Sequence, residues 1–192
     1  MPIFTPGRRD TRHKKNAVNQ AYPSDPDLLL LRDAAIDERN AIALYLEAAR
    51  ESNRQDLFLS AAEDEMHHYA EIMQAISRLD PVQAAYLKAE DLTLLTMVRA
   101  PKTKIKVNNP PAVSDSGLPS IPDQQDMRAV RYLTRGLGDE LGAVNKYQRY
   151  MNQAQHDFVC DLFGHIMNEE KEHVAQFTAA LFDITEEPLP PE

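Results

Sequence analysis

The sequence DERNAIALY at residues 37–45 returns as DELGAVNKY at residues 139–147, with Asp, Glu, Ala and Tyr in the same register. A second pair of stretches follows the first: EDEMHHYAE at residues 63–71 and NEEKEHVAQ at residues 168–176 share Glu and His in register. Apolar residues recur three and four positions apart around these motifs, which indicates helices with one buried face. Two copies of a helical hairpin are therefore predicted, each covering the apolar face of the other.

Capping residues and proline set the predicted boundaries of the first hairpin. The sequence SDP at residues 24–26 offers a capping hydroxyl, an acid and a proline where no amide hydrogen bond is lost. Asn53 and Asp56 are candidate caps for the second helix, which should end at the Asp80–Pro81 break because the residue before proline avoids helical geometry. With the shorter helix expected next, this segment spans residues 24–98.

An irregular crossover is expected between the two hairpins. Residues 99–122 are rich in proline and turn formers, and an extended chain of this length can run along a whole bundle helix. The second hairpin then occupies residues 123–185. The prediction is an all-α fold, one four-helix bundle domain over residues 24–185, with a flexible basic tail at 1–23 and a disordered tail at 186–192.

Each hairpin supplies one glutamate on its first helix and a Glu-x-x-His motif on its second. Residues three apart lie on one face of a helix, so each motif can bind one ion. A single such motif arises by chance in roughly half of chains with this composition, but two at matching points of a repeat are hard to assign to chance. The predicted metal ligands are Glu38, Glu65, His68, Glu140, Glu170 and His173. Four carboxylates and two imidazoles form the ligand set of bundle di-iron and di-manganese sites.

The predicted ligands lie on the apolar stripes of their helices, as Leu31 and Ile42 around Glu38 illustrate. An unpaired carboxylate there would cost several kcal/mol or would take up a proton. Two divalent ions carry four positive charges, which balance four glutamates if both histidines are neutral. For any one position the alternative is a glutamate at the edge of the stripe that reaches water.

Other polar residues near the motifs have less certain roles. Tyr45 and Tyr147 lie seven residues after the first-helix glutamates, and they hydrogen-bond a ligand, pass an electron or pack in the core. Asp37 and Asp139 either orient the histidines or face solvent. A solvated position is predicted for the remaining charged neighbours: Glu63, Asp64, His67, Glu71, Glu169 and Glu172.

These motifs resemble the ferritin-like di-iron superfamily, particularly its rubrerythrin-type and encapsulated-ferritin-type members. NEEKEH at residues 168–173 is similar to the metal-binding helix of encapsulated ferritins, which carry one hairpin per chain. The resemblance implies two iron ions, or manganese, and ferroxidase, peroxidase or oxygen-activating chemistry. Rubrerythrins have a further carboxylate where this chain has Ala143, and a rubredoxin domain that the single Cys160 cannot supply. These departures favour a ferroxidase over a rubrerythrin-type peroxidase.

Three functions follow as alternatives. The first is a di-iron protein that oxidises Fe(II) with oxygen or peroxide, in iron handling or oxidative-stress defence. The second is a di-iron or di-manganese enzyme that removes hydrogen peroxide. The third is a non-enzymatic helical interaction module whose acids are structural.

Composition limits the partners and the compartment. The net charge of −9 argues against nucleic-acid binding, although residues 1–23 are basic. No apolar run approaches the ~20 residues of a membrane span, and a single cysteine is typical of a reducing compartment. A cytoplasmic protein is expected, either free, as a homo-oligomer or inside a protein shell.

Overall fold

A computed structural model describes residues 25–96 and 123–185. The described residues form five α-helices, one short 3₁₀-helix at Thr93–Thr96 and no strand, which confirms the all-α prediction. The helices are α1 (Asp27–Glu51), α2 (Gln55–Leu79), α3 (Pro81–Ala89), α4 (Gln124–Gln153) and α5 (Asp157–Thr185). The predicted tails at 1–23 and 186–192 and the crossover at 99–122 lie outside the described residues. None of the described helices is long and apolar enough to cross a membrane.

The four long helices pack as two hairpins. α1 packs along α2 and α4 along α5, while α1 also contacts α4 and α2 contacts α5. Asn53, just after α1, bonds Asp126 near the start of α4. Asp27, at the opposite end of α1, accepts the backbone N–H groups of Gln155 and His156 just after α4. α1 and α4 therefore run antiparallel.

Two apolar clusters form the core. One contains the N-terminal parts of α1 and α5, with Leu28, Leu31 and Phe163, and the C-terminal parts of α2 and α4. The other lies toward the far end of α1, with Tyr45, Phe58 and other large residues. The predicted metal ligands fall between the two clusters along each helix, so apolar packing on both sides holds them in place.

The ends of the helices show which of the predicted capping residues are correct. At the predicted Asp80–Pro81 break, Asp80 accepts the first backbone N–H groups of α3, and Asp123 does the same for α4. The caps predicted for α2 are wrong, because no side chain caps its first turn. Asn53 instead bonds Asp126, and Asp56 lies inside the first turn of the helix. Ser24 lies outside the described residues.

Candidate metal centre

The structure brings all six predicted ligands together in the middle of the four long helices. Each is buried, with at most 3% of its surface exposed. Two groups of four have ligand atoms within 4.8 Å of one another: Glu38, Glu65, His68 and Glu170, and Glu65, Glu140, Glu170 and His173. Glu65 and Glu170 belong to both groups. The arrangement therefore offers two adjacent positions for ions, with two carboxylates shared between them.

The two imidazole rings face the carboxylates with the same nitrogen. The Nδ1 atom of His68 lies 3.2–3.5 Å from oxygens of three of the glutamates. The Nδ1 atom of His173 lies 3.2–3.4 Å from oxygens of three. The ring centroids are 6.3 Å apart. One nitrogen donor is therefore available to each group of carboxylates.

Two tyrosines contact the centre across the hairpins. The hydroxyl of Tyr45 on α1 donates to Glu140 on α4, and the hydroxyl of Tyr147 on α4 donates to Glu38 on α1. Both tyrosines are almost fully buried. Of the roles considered for them, the structure shows the hydrogen bond to a predicted ligand, and each tyrosine orients the glutamate of the other hairpin.

Two acids predicted to be solvated contact the histidines instead. Glu169 Oε2 lies 2.8 Å from His68 Nε2, and Asp64 Oδ2 lies 3.4 Å from His173 Nε2. Their side chains are only 20% and 19% exposed. The prediction of a solvated face is therefore wrong for these two residues. Because an ionised carboxylate can only accept, each Nε2 donates a proton to its acid, and Nδ1 faces the centre.

Asp37 and Asp139, the acids that directly precede two predicted ligands, contact other residues. Asp37 accepts from Lys146 of α4, which also lies 3.3 Å from Asp33. Asp139 pairs with Arg135 at 3.9 Å on the exposed side of α4. Neither acid contacts a histidine in the described residues. Asp37 and Lys146 instead tie α1 to α4 beside the centre.

Burial and hydrogen bonding divide the four glutamates into two kinds. Burial raises the pKa of Glu38 to about 8 and that of Glu140 to about 9. Burial acts in the same direction on Glu65 and Glu170, but hydrogen bonds with the two histidines outweigh it and lower the pKa of both groups. Without metal, two glutamates are therefore protonated and two are ionised near neutral pH.

The same contacts hold the histidines in the charged form. Burial alone would lower the pKa of His68 and His173, but hydrogen bonds to the surrounding acids raise both above the ordinary value of 6.5. Glu169 is the largest of these contributors for His68, and Asp64 is the largest for His173. Without metal, the two imidazolium ions are therefore the cationic partners of the surrounding carboxylates.

The donor atoms fit divalent transition metal ions. Nitrogen and carboxylate oxygen ligands suit iron, manganese or zinc, and four acids buried together in an apolar core need protons or cations to neutralise them. Glu38 Oε2 lies 3.5 Å from His68 Nδ1, and Glu65 Oε1 lies 3.2 Å from His173 Nδ1; both oxygens are buried. Each oxygen thus lies beside the imidazole nitrogen with which it would share an ion.

A third cluster, Asp25, Asp27 and His156, has the composition of a metal site but a structural role. Asp27 is buried, and its oxygens accept the backbone N–H groups of Gln155 and His156. His156 Nε2 bonds Asp25 at 2.7 Å. These bonds connect the beginning of α1 to the turn between α4 and α5.

No family model, curated protein or solved structure matches this chain. The residues of the centre therefore carry the functional argument alone. The described residues form an all-α protein with buried Glu and His groups that could hold metal ions.

Proposed function

We propose that the chain is a ferritin-like four-helix bundle that binds two iron ions and oxidises Fe(II) with oxygen or peroxide. The convergence of four buried glutamates and two buried histidines on two adjacent positions supports this proposal. A centre built for a structural zinc ion would need only one such position. Two adjacent ions allow two electrons to be removed at one place.

The six ligands have three roles in the proposal. Glu65 and Glu170 belong to both groups and would be shared by the ions, because one oxygen of each lies near His68 and the other near His173. His68 and His173 each serve one position. Glu38 and Glu140 complete the two sets, one from each hairpin. Fe(II) is the substrate, and each ion gives up one electron to the oxidant.

The surrounding residues hold these ligands in place. Tyr45 and Tyr147 donate to Glu140 and Glu38, which restricts the rotation of carboxylates that would otherwise swing away. The acids on the Nε2 atoms keep the imidazole rings turned so that Nδ1 faces the ions. Such supporting contacts raise the basicity of a histidine ligand, and losing one typically costs 10–100-fold in metal affinity.

Fe(II) oxidation by the full chain is the direct test. Fe(II) is added to metal-free protein under anaerobic conditions, air is admitted, and the Fe(III) absorbance is followed. The wild-type protein is compared with the double variant Glu65→Ala plus Glu170→Ala, which loses both shared carboxylates. Glu63→Ala plus Glu90→Ala, two exposed glutamates outside the centre, is the matched control.

We expect Fe(III) to form faster with wild-type and control protein than with the double variant or without protein. Equal rates in all four samples would contradict the ferroxidase proposal. Metal content, measured after loading with excess Fe(II) and removal of unbound ions, tests the centre separately. Fewer than about one ion per chain would instead favour a helical interaction module with structural acids.

A further inference from the structure

A groove of about 640 Å³ between α1 and α4 opens onto one side of the proposed metal centre. All four glutamates of the centre line this α1–α4 groove, whereas His68 and His173 do not. Away from the groove, acids of α5 and α2 lie against the Nε2 atoms of the two imidazole rings. An ion that arrives through the α1–α4 groove therefore meets the carboxylate oxygens of the centre first.

Acidic residues outnumber basic ones in the lining of the α1–α4 groove. Seven of the lining side chains are acids and three are bases. Four of the acids belong to the centre, and the other three, Asp37, Glu47 and Asp139, lie on the walls. Clefts lined by one sign of charge raise the local concentration of ions of the opposite sign. The walls therefore attract cations, and the donor atoms of the centre select divalent metal ions among them.

The wall charges are unevenly distributed, because the two halves of the repeat differ along the groove. Leu44 of the first half corresponds to Lys146 of the second, and Glu47 corresponds to Arg149. All four of these residues line the groove. Since α1 and α4 run antiparallel, the first member of each pair lies at one end of the groove and the second member lies at the other end.

The basic end of the groove contains Lys146, Arg149 and Asp37. Lys146 donates to Asp37 and lies 3.3 Å from Asp33, and only 18% of its side chain is exposed. Its ammonium group is therefore held in place between α1 and α4. A fixed ammonium and a nearby guanidinium repel a divalent cation, so this end disfavours the entry of metal ions.

The acidic end contains Glu47 and Asp139 from the two walls, together with Leu44 and Arg135. Glu47 is exposed. Arg135 is the base at this end, and it approaches Asp139 only to 3.9 Å, with both side chains largely exposed to water. An exposed pair of this kind is weak and is screened by salt. Two acids against one base leave this end with a net negative charge.

We propose that divalent metal ions enter the centre through the α1–α4 groove at its acidic end, where Glu47 and Asp139 attract them. Lys146 and Arg149 turn them away from the other end. Glu47 and Asp139 act on the approaching ion and are not its ligands in the centre. The inference rests on the proposed metal centre, but it does not depend on Fe(II) oxidation.

The rate of Zn(II) binding to the full-length chain tests the proposal. Free Zn(II) is followed with a fluorescent indicator after rapid mixing with metal-free protein, and the second-order rate constant is taken from its dependence on protein concentration. The salt concentration is about 0.1 M, at which charges act over about 10 Å. The rate of Zn(II) release is measured separately by adding excess chelator to loaded protein.

Glu47→Gln plus Asp139→Asn removes both acids from the walls of the acidic end. The matched control is Glu63→Gln plus Asp161→Asn, which removes the same number of charges from exposed positions outside the lining. Because all four positions are exposed, the fold is not at risk.

Two further variants change positive charge. Gly138→Lys adds a lysine at the acidic end, where a Cβ atom would meet nothing within 4 Å, and Ala179→Lys is its control at an exposed position of α5. Arg149→Gln removes a positive charge from the basic end, which lies about 15 Å from Asp139 at the rise of a helix.

We expect the acidic-end double variant to slow Zn(II) binding at least about threefold, and Gly138→Lys at least about twofold, at about 0.1 M salt. Both effects should disappear at about 1 M salt, where charges act over only about 3 Å. The two controls and Arg149→Gln should change the rate by less than about 1.5-fold. Since a charge on the approach path acts mainly on association, the rate of Zn(II) release should change less than the rate of binding.

Equal binding rates in wild-type protein and the acidic-end variants, with two Zn(II) ions bound by each, would overturn the entrance and leave the centre intact. A faster rate in Arg149→Gln that exceeds the slowing in the double variant would place the entrance at the basic end. Faster release without slower binding would make Glu47 and Asp139 ligands, which also contradicts the proposal.

The same samples separate this inference from the proposed function. Wild-type protein that binds no Zn(II) would overturn both the centre and its entrance. Zn(II) binding with the expected charge dependence, in protein that does not accelerate Fe(II) oxidation, would support the entrance and refute the ferroxidase proposal alone.

Discussion

Loading the centre with a redox-inert divalent ion at pH 6 is expected to release about four protons for every two ions bound. Burial raises the pKa of Glu38 to about 8 and of Glu140 to about 9, so both are protonated at this pH. His68 and His173 are also protonated, because surrounding acids raise their pKa above the ordinary value. A metal ligand must be deprotonated, so each of the four groups gives up one proton.

The same count predicts how metal affinity depends on pH. Two protons leave for each ion, so the apparent affinity per ion should rise about 100-fold between pH 6 and pH 7. The direction follows from the raised pKa values: protons compete with the metal at every pH below them, and this competition weakens as the pH rises.

Calorimetric titration with Zn(II) in buffers of different ionisation enthalpy measures the number of protons released. The pH of 6 is chosen because water bound to zinc has a pKa near 7 and then stays protonated. The variant Glu65→Ala plus Glu170→Ala is the control and should release almost none. A release below about two protons per two ions would refute the reasoning, because it would mean that the glutamates are ionised and the histidines neutral before metal binds.

Further predictions concern single residues. Tyr45→Phe removes the hydroxyl that orients a glutamate, so metal affinity measured by competition with a chelator should fall about 10-fold or more. Gly136→Ala places a Cβ atom 3.1 Å from Tyr45 and should destabilise the fold by about 1–3 kcal/mol, whereas Gly138→Ala meets open space and should stabilise it by about 0.5–1 kcal/mol in urea denaturation. Asp25 raises the pKa of His156, so this pair stabilises the fold below the ordinary histidine pKa and the stabilisation is lost as the pH rises through the raised value. His156→Gln should therefore lower the midpoint of thermal unfolding more at pH 5.5 than at pH 9, and equal losses at both would contradict this.

The repeated motif predicted the all-α fold, because the period of a helix decides which residues share a face. Glu38 and Glu65 lie on apolar stripes in the sequence, and burial of these positions follows from the stripe alone. The stripe also predicted that Tyr45 would lie in the core near a glutamate. It did not indicate that this glutamate belongs to the other hairpin, because the periodicity of one helix does not determine which helices lie next to it in the core.

Two acids beside the ligands make contacts that the sequence does not predict. Asp64 and Glu169 each precede a predicted ligand, and a neighbour in sequence points about 100° away from it on a helix. A side chain in that direction contacts either water or the adjacent helix, depending on which side of the helix it lies. The side is decided by packing between hairpins, so the contacts with His173 and His68 were not predictable. Asn53 failed as a cap for a similar reason, since its partner Asp126 lies 73 positions further along the chain.

The contacts that cross between the hairpins make the two halves of this chain incomplete alone. The tyrosine of each hairpin holds a glutamate of the other, and the acid before each Glu-x-x-His glutamate holds a histidine of the other. The halves are therefore related as the subunits of an obligate heterodimer are, with one polypeptide joining them. If they were produced as two separate fragments, they would have to associate before either could bind metal. A substitution that disrupts one half would also displace metal ligands of the other half.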